Sequence, residues 1–178
     1  MKKIMLKLAL VAITFTTLIV RAENKIDLSG LELVNAAQPF GDIVTGGQPT
    51  VGDLKLLKAR GVINIINLRT PDEFDDYDEA GQAKALGFNY IELPIAGARG
   101  VTSENAVKLD KLLAGFSDEL TFVHCASSNR VGALFALRAG LIQGKSIEES
   151  LKQGDAAGLG SLRGATLKQL KKGQSKTD

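Results

Sequence analysis

The sequence predicts an α/β protein of three layers, a central, mostly parallel sheet of four or five strands flanked by helices. Two observations carry this reading. Residues 62–68, Val-Ile-Asn-Ile-Ile-Asn-Leu, form a β-branched run of the kind that sits in a buried parallel strand. Short runs of that type also alternate along the chain with segments of helical spacing, which calls for right-handed crossovers and a sheet covered on both faces.

The elements follow in order. After a polar start, residues 42–45 read as a short strand ending at Gly46-Gly47, and Thr50 is the expected N-cap of a helix over 51–60, with Leu54 and Leu57 at helical spacing. Gly61 stops that helix before the strand 62–68. An acidic loop, 69–78, leads to a helix over 79–86 that Gly87 ends, then to a strand over 89–93 closed by Pro94. A loop rich in Gly and Ala precedes a helix over 103–116, capped by Thr102, whose apolar face is expected to be Val107, Leu109, Leu112 and Leu113. A strand over 120–124 runs into a helix over 131–143. Ser146 and Glu149 make a capping box for another helix, a glycine-rich link spans 154–160, and a last helix covers 161–172 before a frayed tail, 171–178. In such sheets the loops at the carboxyl ends of the strands share one edge, where ligands bind. Those loops are 46–50, 69–78, 94–102 and 125–130.

The chain's 178 residues, 44% of them hydrophobic, suit one globular domain, expected over 23–178. The start reads as an export signal: Lys2, Lys3 and Lys7 precede an apolar run over 8–20, and Ala22 offers a cleavage site. That run is shorter than the ~20 residues of a membrane-spanning helix, so a cleaved signal and no stable membrane insertion are expected, with export to the periplasm or beyond. Residues 1–22 hold four of the 22 basic side chains and none of the 20 acidic ones, so their removal takes the net charge from +2 to −2. Nothing in that balance points to a nucleic-acid partner.

Cys125 is the only cysteine and His124 the only histidine. One cysteine allows no intrachain disulfide, and a papain-like Cys/His pair or a Ser/His/Asp triad would have to use this one histidine. Adjacent residues on a strand face opposite ways, so His124 is not placed to deprotonate Cys125 and is expected to support the loop instead. The two together are too few for a zinc site, and no metal or cofactor is expected. Gly158, Gly160 and Gly164 have the wrong spacing for a dinucleotide fingerprint, and no strand precedes them.

The segment His124-Cys125-Ala126-Ser127-Ser128-Asn129-Arg130 passes from a buried strand directly into a helix. The first turn of a helix carries unpaired N–H groups and the positive end of the dipole, so this junction makes a cradle for a phosphate-sized anion. Cys125 opens the cradle with a nucleophile and Arg130 closes it with a cation suited to bidentate contact. Both the helix start and the guanidinium favour the thiolate.

At these residues the sequence resembles the cysteine-dependent phosphatase superfamily, which includes protein tyrosine and dual-specificity phosphatases, and within it the beta-lactamase-hydrolase-like phosphatase subgroup. The resemblance runs over about 42–141, through Gly47-Gln48-Pro49, Ile66-Asn67-Leu68-Arg69, the stretch 90–95 and 124–132. It implies a phosphatase-like fold and hydrolysis of phosphate monoesters, on a phosphorylated small molecule or phosphoprotein. Cys125 would attack phosphorus to give a cysteinyl-phosphate. Arg130 and the phosphate-binding loop of Ala126, Ser127, Ser128 and Asn129 would hold the oxygens, without a metal.

Three departures stand out. Many members carry an Asp general acid in the loop after the strand read here over 89–93, yet residues 94–100 contain no carboxylate. Asp72, Glu73 and Asp75, on a loop at the same edge, are the reserve candidates, beside the plainer reading of a solvated acidic loop. The spacing is Cys-x4-Arg, which the subgroup shares, where Cys-x5-Arg is common. Ser128 stands where glycine, with its tolerance of positive φ, is expected. Two other functions fit the same cradle. Cys-x4-Arg before a helix, with the stretch 68–74, is also similar to rhodanese-type sulfurtransferases, which would act through a Cys125 persulfide. A module that binds phosphate or sulfate without turnover is the third reading.

Overall fold

In the computed structural model, residues 25–73 and 78–175 are described; the expected signal segment and Asp75 lie outside them. Five strands form one sheet: β1 (Ala37–Phe40), β2 (Ile43–Gly46), β3 (Asn64–Asn67), β4 (Asn89–Glu92) and β5 (Thr121–His124), in the order β1-β2-β5-β3-β4. All neighbours are parallel except β1, which runs antiparallel to β2 at the edge. The expected α/β fold with a mostly parallel sheet is therefore present. β1 is an addition, because Pro39 and the lack of alternation hide it in the sequence.

Among the described residues six α-helices flank the sheet: α1 (Val51–Ala59), α2 (Glu79–Ala85), α3 (Ser103–Gly115), α4 (Asn129–Leu141), α5 (Ile147–Ala156) and α6 (Arg163–Gln174). The starts of three follow from local chemistry read in the sequence. Thr50, Thr102 and Ser146 each accept a hydrogen bond from a backbone N–H of the first turn, and Thr50 and Ser146 complete capping boxes with Asp53 and Glu149.

The two faces of the sheet hold separate cores. Leu54 and Leu57 of α1 and Ala83 of α2 pack on Val44, Ile65 and Phe122. Leu109 and Leu113 of α3 and Val131, Leu134 and Phe135 of α4 pack on Ile66, Val123 and Cys125. Alternation along β5 thus sends His124, stacked on Phe122 with ring centroids 5.1 Å apart, to one face and Cys125 to the other. Each fully buried Leu or Phe in these layers contributes about 1.5–3 kcal/mol.

Some boundaries differ from the expectation. Val107 is 39% exposed, and the buried face of α3 is Ala106, Leu109 and Leu113, with Leu112 at its margin. Gly154 is helical, so the link between α5 and α6 is shorter, 157–162. Glycine stands there because space is scarce: α5 crosses α4 where a Cβ on Gly132 would lie 2.6 Å from Gly154 O and 2.2 Å from Leu159 N. The helix α4 begins at Asn129, and α6 continues through Gln174, taking in residues read as tail.

Candidate active site

Register brings the loops together. Gly46 and Asn67 both pair with His124, and Asn67 pairs with Glu92, so the four parallel strands end level and their loops leave from one edge. Backbone bonds carry the alignment past the strands: Leu68 N donates to His124 O at 2.8 Å, Ile95 N to Leu68 O at 3.0 Å and Gln48 N to Ala126 O at 3.3 Å.

The loop 125–130 turns tightly into α4. The first intrahelical bond runs from Gly132 N to Ser128 O at 2.9 Å, so the N–H groups just before it are those that a helix start leaves to an external acceptor. Ser128 adopts φ 66° and ψ −6°, the left-handed conformation anticipated at this position for glycine. Ala126 and Ser127 are exposed, while Cys125 is 1% and Arg130 8% exposed. The side chain of Asn129 points away from the cradle: its Oδ1 accepts from Gly160 N at 2.8 Å and Leu162 N at 3.3 Å, and its Nδ2 donates to Ser161 Oγ at 2.8 Å.

Arg130 is held from two directions. Nη1 donates to Glu73 Oε1 at 2.5 Å, to Ile95 O at 3.0 Å and, more loosely, to Leu68 O at 3.3 Å; Nη2 donates to Glu73 Oε2 at 2.6 Å. The carboxylate therefore occupies the end edge of the guanidinium fork. None of these bonds uses Nε, and the guanidinium has the Cys125 sulfur as a further hydrogen-bond partner. Burial opposes the charge on Arg130, but Glu73 and the Cys125 sulfur outweigh it and hold the guanidinium more firmly protonated than usual.

Glu73 sits where it does for a local reason. Thr70 N and Oγ1 donate to Glu73 Oε1 at 2.9 and 2.8 Å, and Glu73 N donates back to Thr70 O at 2.9 Å, closing a 3-10 turn over Pro71–Glu73. The hydrogen bonds from Arg130 pull the Glu73 carboxyl down to about 2; burial works against this, and the Thr70 bonds add to it. Sequence reasoning singled out Glu73 only as a proton donor and missed its partnership with Arg130, 57 residues away. The Thr70-x-x-Glu73 spacing, a capping pattern, was the available signal that this carboxylate is fixed in place.

His124 does not brace the loop through its ring. Its Nε2 lies 2.8 Å from Glu79 Oε1, and both side chains are buried. Glu79, at the start of α2, also accepts from Gln48 Nε2 at 2.5 Å, and Gln48 Oε1 accepts from Arg69 Nη1 at 2.6 Å. Burial pushes the Glu79 carboxyl up, yet His124, Gln48 and Arg69 together bring it below the usual value. This chain of contacts ties the β2, β3 and β5 ends to α2, a supporting role reached from below the loop. Neither Glu79 nor Gln48 was singled out by the sequence as part of it.

Beside Arg130 and Glu73 lies a cleft of about 570 Å3, with Thr70, Asp72 and Glu73 on one wall and residues 96–99, ending in Arg99, on the other. Asp72 is exposed there. The site therefore combines a buried cysteine, a helix start and an oriented arginine, and the cleft, which none of the residues 125–130 lines, adjoins it through Glu73. That combination suits capture of a tetrahedral dianion and attack on it by sulfur.

No family model and no curated protein matches the chain. Solved structures do. A candidate phosphatase (DUF442) from Shewanella putrefaciens CN-32 is 19% identical, with a TM-score of 0.63 over 81% of this chain and 91% of that one. TpbA of P. aeruginosa, solved in complex with phosphotyrosine, is 14% identical, with a TM-score of 0.60 over 79% and 83%. PTPMT1, solved in complex with PI(5)P, is 15% identical, with a TM-score of 0.61 over 80% and 99%. At such identities the likeness is one of architecture, and the chain has the fold of the cysteine-dependent phosphatases of the protein tyrosine and dual-specificity kind.

Proposed function

We propose that the chain is a phosphate-monoester hydrolase acting through a cysteinyl-phosphate on Cys125. The thiolate attacks phosphorus, an S–P bond forms as the ester P–O bond breaks, and the alcohol leaves with a proton. Water then attacks phosphorus, the P–S bond breaks, and phosphate and the thiolate are regenerated. The N–H groups of Ala126, Ser127, Ser128, Asn129 and Arg130, with the Arg130 guanidinium, hold the three equatorial oxygens as charge redistributes. The observation that carries this reading is the Arg130 guanidinium, clamped end-on by Glu73 and partnered with the Cys125 sulfur at the start of α4.

The leaving group needs a proton. Glu73, with its carboxyl pulled down to about 2 and both oxygens on Arg130, is ionised at neutral pH and has no proton to give. Asp72 lines the cleft and is the proton donor in this account. Neighbours of the same fold bind phosphotyrosine and PI(5)P, which supports a phosphorylated small molecule or a phosphoprotein as substrate here. Action outside the cytoplasm rests on residues 1–22 alone.

Release of phosphate from p-nitrophenyl phosphate under reducing conditions, measured beside the Cys125→Ser variant, tests the reading. Turnover that the variant loses supports it. Absence of turnover, with thiocyanate formed from thiosulfate and cyanide, replaces it with sulfur transfer.

A further inference from the structure

The active loop contains a serine in a backbone conformation that serine disfavours, and the structure shows what holds it there. Ser128, φ 66°, is fully buried, and its Oγ donates to Ala157 O, in the link between α5 and α6, at 2.8 Å. A residue with a Cβ pays for the left-handed region with steric strain that glycine escapes. The hydroxyl's bond to the link offsets that strain. Next to it, Asn129 makes the three bonds to 160–162 described above, reaching two backbone N–H groups and a hydroxyl. From the other side, Asn35 Nδ2 donates to Ser127 O at 3.0 Å.

Two consecutive cradle residues thus turn their side chains outward, onto one short segment. The fit is close: a Cβ on Gly158 would lie 2.6 Å from Ser128 Cβ, and Gly158 itself has φ 90°. The far wall of the link is fixed in turn by the crossing of α4 and α5, where Gly132 approaches Leu159.

We propose that the link 157–162 is a positioning element of the anion cradle, setting the backbone of the loop 125–130 through Ser128 and Asn129 without touching the bound anion. The inference rests on the cradle reading above and deepens it. The side chains of Ser128 and Asn129 are positioning groups, and Ser128 does by anchorage what glycine would do by conformational freedom.

The test is the affinity of the full chain for tungstate, a phosphate-sized oxyanion that does not turn over, by calorimetry, with the melting temperature measured in parallel. Loss of one such hydrogen bond predicts binding about five- to ten-fold weaker for Ser128→Ala. Ser128→Gly should fall between Ser128→Ala and the wild type, since it loses the anchor but not the conformation. Ser161→Ala, an exposed change in the link that removes one partner of Asn129, should weaken binding by a few-fold while the protein stays folded. Wild-type affinity in both Ser128→Ala and Ser161→Ala, with only the melting temperature lowered, overturns the proposal. A wild-type chain that binds no tungstate overturns the cradle reading itself, and this inference with it.

Discussion

Glu73 grips the end of the Arg130 guanidinium with both carboxylate oxygens, at 2.5 and 2.6 Å, while the Cys125 sulfur is a further partner of the same guanidinium. Orientation is the consequence: a guanidinium fixed on one edge does not have to lose rotational freedom when an anion arrives. Glu73→Gln keeps the shape but loses the charge-assisted pair. It should lower kcat/KM for p-nitrophenyl phosphate about 10- to 100-fold, as steady-state kinetics will show.

The same pair links stability to pH. The Glu73 carboxyl is pulled from 4.5 to about 2, so its contribution is complete above 4.5 and is lost as pH falls toward 2. Its upper bound is about 3 kcal/mol. Urea denaturation at a series of pH values should show the wild type losing more stability than Glu73→Gln between pH 5 and 2, on the order of 1–3 kcal/mol. Parallel curves for the two proteins would refute the linkage.

If Asp72 protonates the leaving group, its removal should matter in proportion to how much help that group needs. Asp72→Asn should leave p-nitrophenyl phosphate hydrolysis within about three-fold of the wild type and lower phenyl phosphate hydrolysis about 100-fold. An equal effect on both substrates assigns Asp72 to the solvated acidic loop.

Beneath the loop, the contact of Glu79 with His124 is buried on both sides, and Gln48 depends on the same carboxylate. Glu79→Ala leaves His124 and Gln48 without it, which should cost about 3–5 kcal/mol by chemical denaturation. A cost below about 1 kcal/mol would mean that the ends of β2 and β5 need no such tie.

Gly132→Ala tests the crossing that anchors the link. A Cβ there would meet backbone atoms at 2.2 and 2.6 Å, and backbone cannot rotate away as a side chain can. The expected cost is at least about 2 kcal/mol, read as a fall in melting temperature.

The parts legible in the sequence were those fixed by neighbours along the chain. Caps at Thr50, Thr102 and Ser146 announced their helices, the β-branched run announced β3, and the segment from Cys125 to Arg130 announced a tight passage from strand to helix with a positive φ at Ser128. What stayed hidden depends on residues far apart. β1 becomes a strand only because β2 turns back beside it, and Pro39 argues locally against it. Glu73 reaches Arg130, and Glu79 reaches His124, only after register has levelled the strand ends. Acidic residues in a loop look alike until the fold chooses which of them is held against a cation.

The central claim is that phosphorus becomes bonded to Cys125, and an acid quench of the protein mixed with p-nitrophenyl phosphate tests it most directly. Peptide mass spectrometry should find one phosphoryl group, on the peptide holding Cys125, at a level that decays on dilution into substrate-free buffer and is absent from Cys125→Ser. Phosphate release without that adduct, or release that survives the loss of Cys125, would contradict the account.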